Sequence, residues 1–341
     1  MTDLINVEDL VKVYPDGTRA VDGVTFQVTG GEIFGFLGPN GAGKTTAIRV
    51  LVTLLQKTSG RALVGGHDLE KEPEEIRKMI GYAGQFIGID IDLTGRENLV
   101  LQARLHGMSA ADAGRRASLL LGMFGLTDAA NKRAGAYSGG MRRRLDLVQA
   151  LVHEPPLLFL DEPTTGLDPQ TRNALWRHLE ELRAGGTTIF LTTQYMEEAD
   201  RLCDRLAIID HGKIVVAGEP AELKASVGGD AVTIALPEGT DGELVERAQQ
   251  AVAAFPGAGQ PTSFDHSVAV PVKDAGQSLS EIVRRLHEQG IPIAKLSFTT
   301  PTLDEVFLKY TGERMRVEET GHAQSSMFAS MRGRGRGRGR G

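Results

Sequence analysis

Gly38-Pro39-Asn40-Gly41-Ala42-Gly43-Lys44-Thr45-Thr46 has the form G-x-x-x-x-G-K-[ST]. Ahead of it Glu32-Ile33-Phe34-Gly35-Phe36-Leu37 is short and apolar, as a buried strand is. Behind it Thr46-Ala47-Ile48-Arg49-Val50-Leu51-Val52-Thr53-Leu54-Leu55 reads as a buried helix. Strand, glycine loop and helix in that order make a phosphate-binding loop. Glycines let successive N–H groups curl toward phosphate oxygens. The helix N-terminus adds partial positive charge at the same place. Lys44 then reaches the β- and γ-phosphates of a nucleotide, and the Thr45 hydroxyl holds Mg²⁺.

A chain of 341 residues, 41% hydrophobic, has room for about two domains with sizeable cores. Its apolar runs fall short of the ~20 residues that span a bilayer. Met1-Thr2-Asp3-Leu4-Ile5-Asn6 has neither a basic region nor an apolar stretch of the kind that begins a secretory leader. The expectation is a soluble chain on the cytoplasmic side. Cys203 is the single cysteine, so no intrachain disulfide can form, and its expected role is packing in a helix. The net charge is −6, yet residues 332–340 alone carry five arginines, which leaves the rest of the chain at −11. So acidic a body offers no nucleic-acid surface.

Residues 4–14 and 20–28 alternate as two antiparallel strands around the turn Tyr14-Pro15-Asp16-Gly17. Tyr14, at a strand end, could stack on adenine or be an ordinary strand-end tyrosine. A strand over 80–85 ends in Gln85. Thr94-Gly95-Arg96-Glu97 is a capping box opening one helix, and Ser109 opens a second, a small helical insert. Ser138 caps a further helix start at Tyr137-Ser138-Gly139-Gly140-Met141. Pro156-Leu157-Leu158-Phe159-Leu160-Asp161-Glu162-Pro163 reads as a buried strand delivering two carboxylates at its C-terminal end, where parallel α/β sheets bind ligands. Asp161 is expected to hold Mg²⁺, and Glu162 to take a proton from the attacking water. A tight loop, Gly166-Leu167-Asp168-Pro169, and a buried strand over 187–194 ending in Gln194 follow, then a hairpin at His211-Gly212.

In this order, residues 4 to about 222 resemble an ATP-binding cassette (ABC) nucleotide-binding domain: GPNGAGKTT, Gln85, YSGGM, LLFLDEP, GLDP, TTQ. The resemblance implies a P-loop NTPase α/β fold with a mixed sheet core, an antiparallel β subdomain and a helical subdomain. It implies ATP with Mg²⁺, and Tyr14 as the adenine-stacking aromatic. Nucleotide would be held by Gly38, Pro39, Asn40, Gly41, Ala42, Gly43, Lys44, Thr45 and Thr46. Gln85 would touch Mg²⁺ or water and face a membrane partner. Ser138, Gly139 and Gly140 would cap the γ-phosphate bound to a second subunit, with Asp168 crossing the interface of that homodimer. Catalysis would fall to Glu162, Gln194 and Gln85, and the metal to Thr45, Gln85 and Asp161.

Met141 and Tyr137 depart from the usual signature, and Gln194 stands where a histidine is usual. A carboxamide can hydrogen-bond a phosphate or water but cannot titrate near neutral pH, so slow hydrolysis is expected. Tyr137–Leu145 and Thr192–Asp200 are similar to the daunorubicin/doxorubicin-resistance subset of the family, departures included. That implies the energy-coupling subunit of a drug exporter, peripheral on the cytoplasmic face, with a separate transmembrane subunit. Export of lipid, polysaccharide or ion is the alternative, and a soluble ATPase acting on ribosome or DNA a third reading.

Past Gly218 the pattern changes. Strands over 231–236, 267–272 and 293–299 alternate with helices over 243–255 and 278–289, a small ferredoxin-like α+β unit spanning 223–316. Thr302 and Glu305 cap a last helix in Thr300-Pro301-Thr302-Leu303-Asp304-Glu305-Val306-Phe307-Leu308. In the subset this region is linked to dimerisation or regulation; a last helix docking on its own small sheet fits these residues just as well. The Arg-Gly segment 317–341 cannot bury a core and is expected to be disordered. It could be merely solvated, or meet anionic lipid or RNA.

Overall fold

The structure is a computed structural model that describes residues 3–237, 239–264 and 266–313. The Arg-Gly segment lies outside the described residues.

The long strands β1 (Asp3–Val13) and β2 (Arg19–Thr29) pair antiparallel, as their alternation predicts. The fully buried β3 (Ile33–Leu37) leads through the glycine loop into α1 (Lys44–Leu51), which starts two residues earlier and ends four residues earlier than the sequence suggests. Next come β4 (Ser59–Val64), β5 (His67–Asp68), α2 (Pro73–Met79) and β6 (Ile80–Ala83). The insert consists of α3 (Gly95–Leu105), opened by the expected capping box, and α4 (Ala110–Met123), capped by Ser109. Helix α5 (Gly139–Ala150), capped by Ser138, leads to β7 (Leu157–Asp161), α6 (Pro169–Ala184), β8 (Thr188–Thr193) and α7 (Met196–Leu202). The hairpin β9 (Arg205–Asp210) and β10 (Lys213–Gly218) precedes α8 (Pro220–Val227). The remainder is β11 (Asp230–Ala235), α9 (Gly242–Ala253), β12 (Thr262–Phe264), β13 (Ser267–Val272), α10 (Ala275–Glu288), β14 (Lys295–Thr299) and α11 (Leu303–Thr311).

One antiparallel sheet has the order β2-β1-β4-β5. The central sheet runs β10-β9-β3-β8-β7-β6, parallel except for β10. Strand β3 serves two cores because its side chains alternate faces. Phe34 and Phe36 meet Phe26 of β2 and Phe190 of β8 between the sheets, with ring centroids 4.8–5.8 Å apart for the pairs Phe26–Phe36 and Phe34–Phe190. Ile33 and Leu37 face the helical side. Gly35 also faces that side, where an added Cβ would lie 2.5 Å from the sulfur of Cys203. Cys203 is buried one residue past α7 rather than within a helix.

The third sheet, in the order β12-β13-β11-β14, follows the sequence β-α-β-β-α-β of the ferredoxin-like topology. Strand β12 has no sequence signal: three exposed residues, Thr262-Ser263-Phe264, pair with β13. Two features cut across a division at 222/223. That point lies inside α8, and α11 packs on α7, α8 and β10. Leu303, Val306 and Phe307 are buried in the helical-side core of the nucleotide-binding region, not against the third sheet.

Candidate active site

The parallel register brings the loop ends together. Leu37 pairs with Thr193, and Asp161 with Thr192, so β3, β7 and β8 finish at one edge. The glycine loop leaves β3 there, Asp161 and Glu162 end β7, and Gln194 follows β8. The loop is pinned from both sides: Gly38 N–H donates to Thr193 O at 3.2 Å, and Gly212 N–H to Ala42 O at 3.0 Å. Gly43 takes φ 105, and a Cβ on it would lie 2.1 Å from Ala20 O, so only glycine fits between the loop and β2.

Lys44 is buried, and its Nζ donates to Gly38 O at 2.7 Å and Pro39 O at 2.9 Å. Its ammonium lies 3.5 Å from Glu162 Oε1. Burial lowers its pKa from the usual lysine value, while Glu162 and Asp161 act to raise it. Asp161 is fully buried and its Oδ1 accepts from Thr45 Oγ1 at 3.0 Å and Thr192 Oγ1 at 2.7 Å. Its Oδ2 is buried with no partner among the described residues. Glu162 takes φ 50, and its Oε2 accepts from Thr165 Oγ1 at 3.2 Å. Gln194 is buried and its Oε1 likewise has no partner among the described residues. Tyr14 stands beside the start of α1, its hydroxyl 3.2 Å from Thr46 Oγ1.

Other expected site residues stand apart. Gln85 is exposed, two residues past β6, with no hydrogen bond to the acids among the described residues. Ser138 and Gly139 are exposed, and Ser138 Oγ accepts from Met141 N–H at 3.3 Å. Asp168 is exposed and caps α6, accepting from Thr171 N–H at 3.0 Å. The two helix starts adjoin: a Cβ on Gly140 would lie 2.9 Å from Thr171 Cγ2. Both departures from the usual signature are accommodated. Tyr137 is buried and donates to Ala129 O at 2.7 Å, and Met141 packs on the helical-side core. The His211 side chain is 95% exposed, as its hairpin turn suggests.

Sequence reasoning missed Thr192, which touches both acids, and the buried pair Arg143 and Asp146 behind them. Thr192 opens the TTQ stretch, but that stretch draws attention to Gln194 and assigns Thr192 no role. Arg143 is one of three consecutive arginines, and only its i, i+3 spacing to Asp146 hints at a pair.

The ABC transporter family model matches residues 21–165, and the C-terminal domain model of DrrA1-3-like ATP-binding proteins matches 218–311. The chain is 47% identical over 316 residues to the daunorubicin resistance ATP-binding protein DrrA3 of Streptomyces coeruleorubidus, covering 92% of this chain and 98% of that one. It is 37% identical over 316 residues to the Nod factor export ATP-binding protein I of Ralstonia nicotianae, covering 92% and 96%. A solved dimer of the ATP-binding cassette MJ0796 bound to ADP and Pi superposes with a TM-score of 0.59 at 25% identity, over 63% of this chain and 98% of that one. The chain belongs to the ATP-hydrolysing ABC transporter ATP-binding proteins, in the group of the daunorubicin/doxorubicin resistance ATP-binding proteins.

Proposed function

We propose that the chain drives export of an amphipathic drug of the anthracycline kind, working as a homodimer beside a separate transmembrane subunit on the cytoplasmic face. The observation carrying this reading is 47% identity, over nearly the full length of both chains, to a protein named for daunorubicin resistance. No helix of the described residues is long and apolar enough to cross a membrane, which fits a pathway supplied by another chain.

In this reading Lys44 and the loop amides hold the phosphates, and Tyr14 stacks on adenine. The Thr45 hydroxyl and the Asp161 carboxylate, with its unpartnered buried oxygen, are the hard oxygen donors that suit Mg²⁺. An ion held there would neutralise charge on the phosphate oxygens. Glu162 takes the proton of the attacking water, and Gln194 orients that water or the γ-phosphate through its amide. Gln85, exposed on the loop next to the acid-bearing turn, meets Mg²⁺ or the attacking water from there. Ser138, Gly139 and Asp168 lie exposed and Gly140 half-buried at two adjoining helix starts, as residues that complete a partner's site would. The solved cassette MJ0796 is dimeric, which supports the pairing of two copies. A groove of about 300 Å³ lined by Leu54, Tyr82, Gly88, Gln102 and His106 offers a seat for the membrane subunit. Phe86, Leu101 and Leu105 are exposed on the loop and helix beside it.

The test is drug accumulation in sensitive cells expressing this chain with its membrane subunit. Anthracycline accumulation is expected to fall with the wild type and not with Glu162→Gln, and purified Glu162→Gln is expected to form an ATP-bound dimer. Unchanged accumulation across a drug panel, with hydrolysis intact, would overturn the drug assignment. The relative named for Nod factor export favours a second reading, in which the cargo is not a drug but a lipid, polysaccharide or ion.

A further inference from the structure

Arg143 lies in α5, five residues beyond Ser138, and is buried. Its guanidinium serves four backbone carbonyls. Nε donates to Pro163 O at 2.9 Å, and Nη2 to Asp161 O at 3.1 Å and Glu162 O at 3.2 Å. Nη1 donates to Gly84 O at 2.5 Å and pairs with Asp146 Oδ2 at 3.2 Å. Asp146 Oδ1 in turn accepts from Gly88 N–H at 2.8 Å. One ion pair therefore grips three successive carbonyls of the acid-bearing turn and both ends of the loop that carries Gln85.

That turn needs a grip. Glu162 has φ 50, a left-handed conformation that strains a non-glycine residue and persists only when its surroundings fix it. Stability is a poor reason for the pair. Burial opposes both charges, lowering the Arg143 pKa and raising that of Asp146, and buried ion pairs are often matched by apolar residues of similar volume. Geometry is the better reason, because a planar fork reaches several carbonyls at once and a lysine ammonium does not.

We propose that Arg143 is a positioning residue for hydrolysis: it fixes the backbone of Glu162 and, with Asp146, holds the Gly84–Gly88 loop and the acid-bearing turn as one unit. The inference rests on Glu162 being the residue that activates water.

The test is hydrolysis of MgATP by the full chain, with ATP affinity measured separately. Arg143→Lys keeps the charge beside Asp146 but loses the fork. Its kcat is expected to fall about 100-fold, the scale of a small misplacement in an active site, with ATP affinity unchanged. Arg143→Met/Asp146→Leu removes the pair without stranding a charge and is expected to show the same split; if it fails to fold, Arg143→Lys decides. Wild-type kcat in Arg143→Lys, or a parallel loss of kcat and ATP affinity, would overturn the positioning role. Glu162→Gln separates the two readings. If it is inactive while Arg143→Lys is fully active, only the positioning role fails; if it hydrolyses at the wild-type rate, the role of Glu162 fails as well.

Discussion

Thr192 Oγ1 donates to Asp161 Oδ1 at 2.7 Å and accepts from the Glu162 N–H at 3.1 Å. A single hydroxyl on β8 thus orients the carboxylate of one acid and the backbone of the next, across the strand pairing Asp161↔Thr192. A hydroxyl can donate and accept at once, which neither valine nor alanine can do.

Thr192→Val keeps the shape of the side chain and removes that bridge. The buried Asp161 carboxylate loses a donor, at a cost of about 1–3 kcal/mol. We expect kcat for ATP hydrolysis to fall roughly 10–100-fold through misplacement of the acids. Thr192→Ser, which restores the hydroxyl, should recover most of the rate. Steady-state kinetics on the three proteins check this, and full activity in the valine variant would show the bridge to be dispensable.

Gly35 and Cys203 should behave as a coupled pair. Gly35 has an ordinary strand conformation, so its requirement for glycine is purely spatial: a Cβ would sit 2.5 Å from the Cys203 sulfur. Gly35→Ala is expected to destabilise the protein by about 1–3 kcal/mol through overpacking. Cys203→Ala opens the space, so the double variant should be more stable than additive losses allow. A urea double-mutant cycle measures the coupling, and simple additivity would count against the contact.

The fold and the nucleotide-facing half of the site were legible because they depend on local order. A buried strand, a glycine loop and a helix announce Lys44 and Thr45, and an apolar strand ending in Asp161 and Glu162 announces the acids. Thr192 and Arg143 were not legible, because their roles exist only once β8 lies beside β7 and α5 runs behind both. The last helix misled for a related reason. Its capping box, Thr302 with Glu305, fixes where it starts, but no local pattern says which core receives Val306 and Phe307.

His153 provides a pH-dependent contribution to stability. Its ring stacks on His106 at 3.9 Å, with Nε2 3.0 Å from Ile80 O. Burial, with the nearby His106 and Arg116 charges, lowers its pKa from 6.5 to about 4, against the bond to Ile80 O. The unfolded chain therefore takes up a proton below pH 6.5 that the folded chain refuses until about pH 4. Stability from this group is fully present above that window and declines as pH falls through it. His153→Gln should flatten that part of the profile while still able to donate to Ile80 O. Urea unfolding of both proteins across the window tests this, and parallel profiles would mean that His153 is not the group responsible.

Phe307 ties the C-terminal helix to the nucleotide-binding region. It is 3% exposed in the same core as Trp176 of α6, the only tryptophan in the chain. Phe307→Ala should leave a cavity costing about 3–5 kcal/mol. If α11 were merely the end of a separate C-terminal unit, Trp176 fluorescence would not register that loss. Because α11 packs on α7, α8 and β10, we expect the Trp176-monitored unfolding midpoint to fall. Leu308→Ala, on the exposed side of the same helix, should leave it in place. An unchanged midpoint for Phe307→Ala would place the helix in a separately folding unit, and a shift confined to that variant would make α11 a structural part of the ATPase.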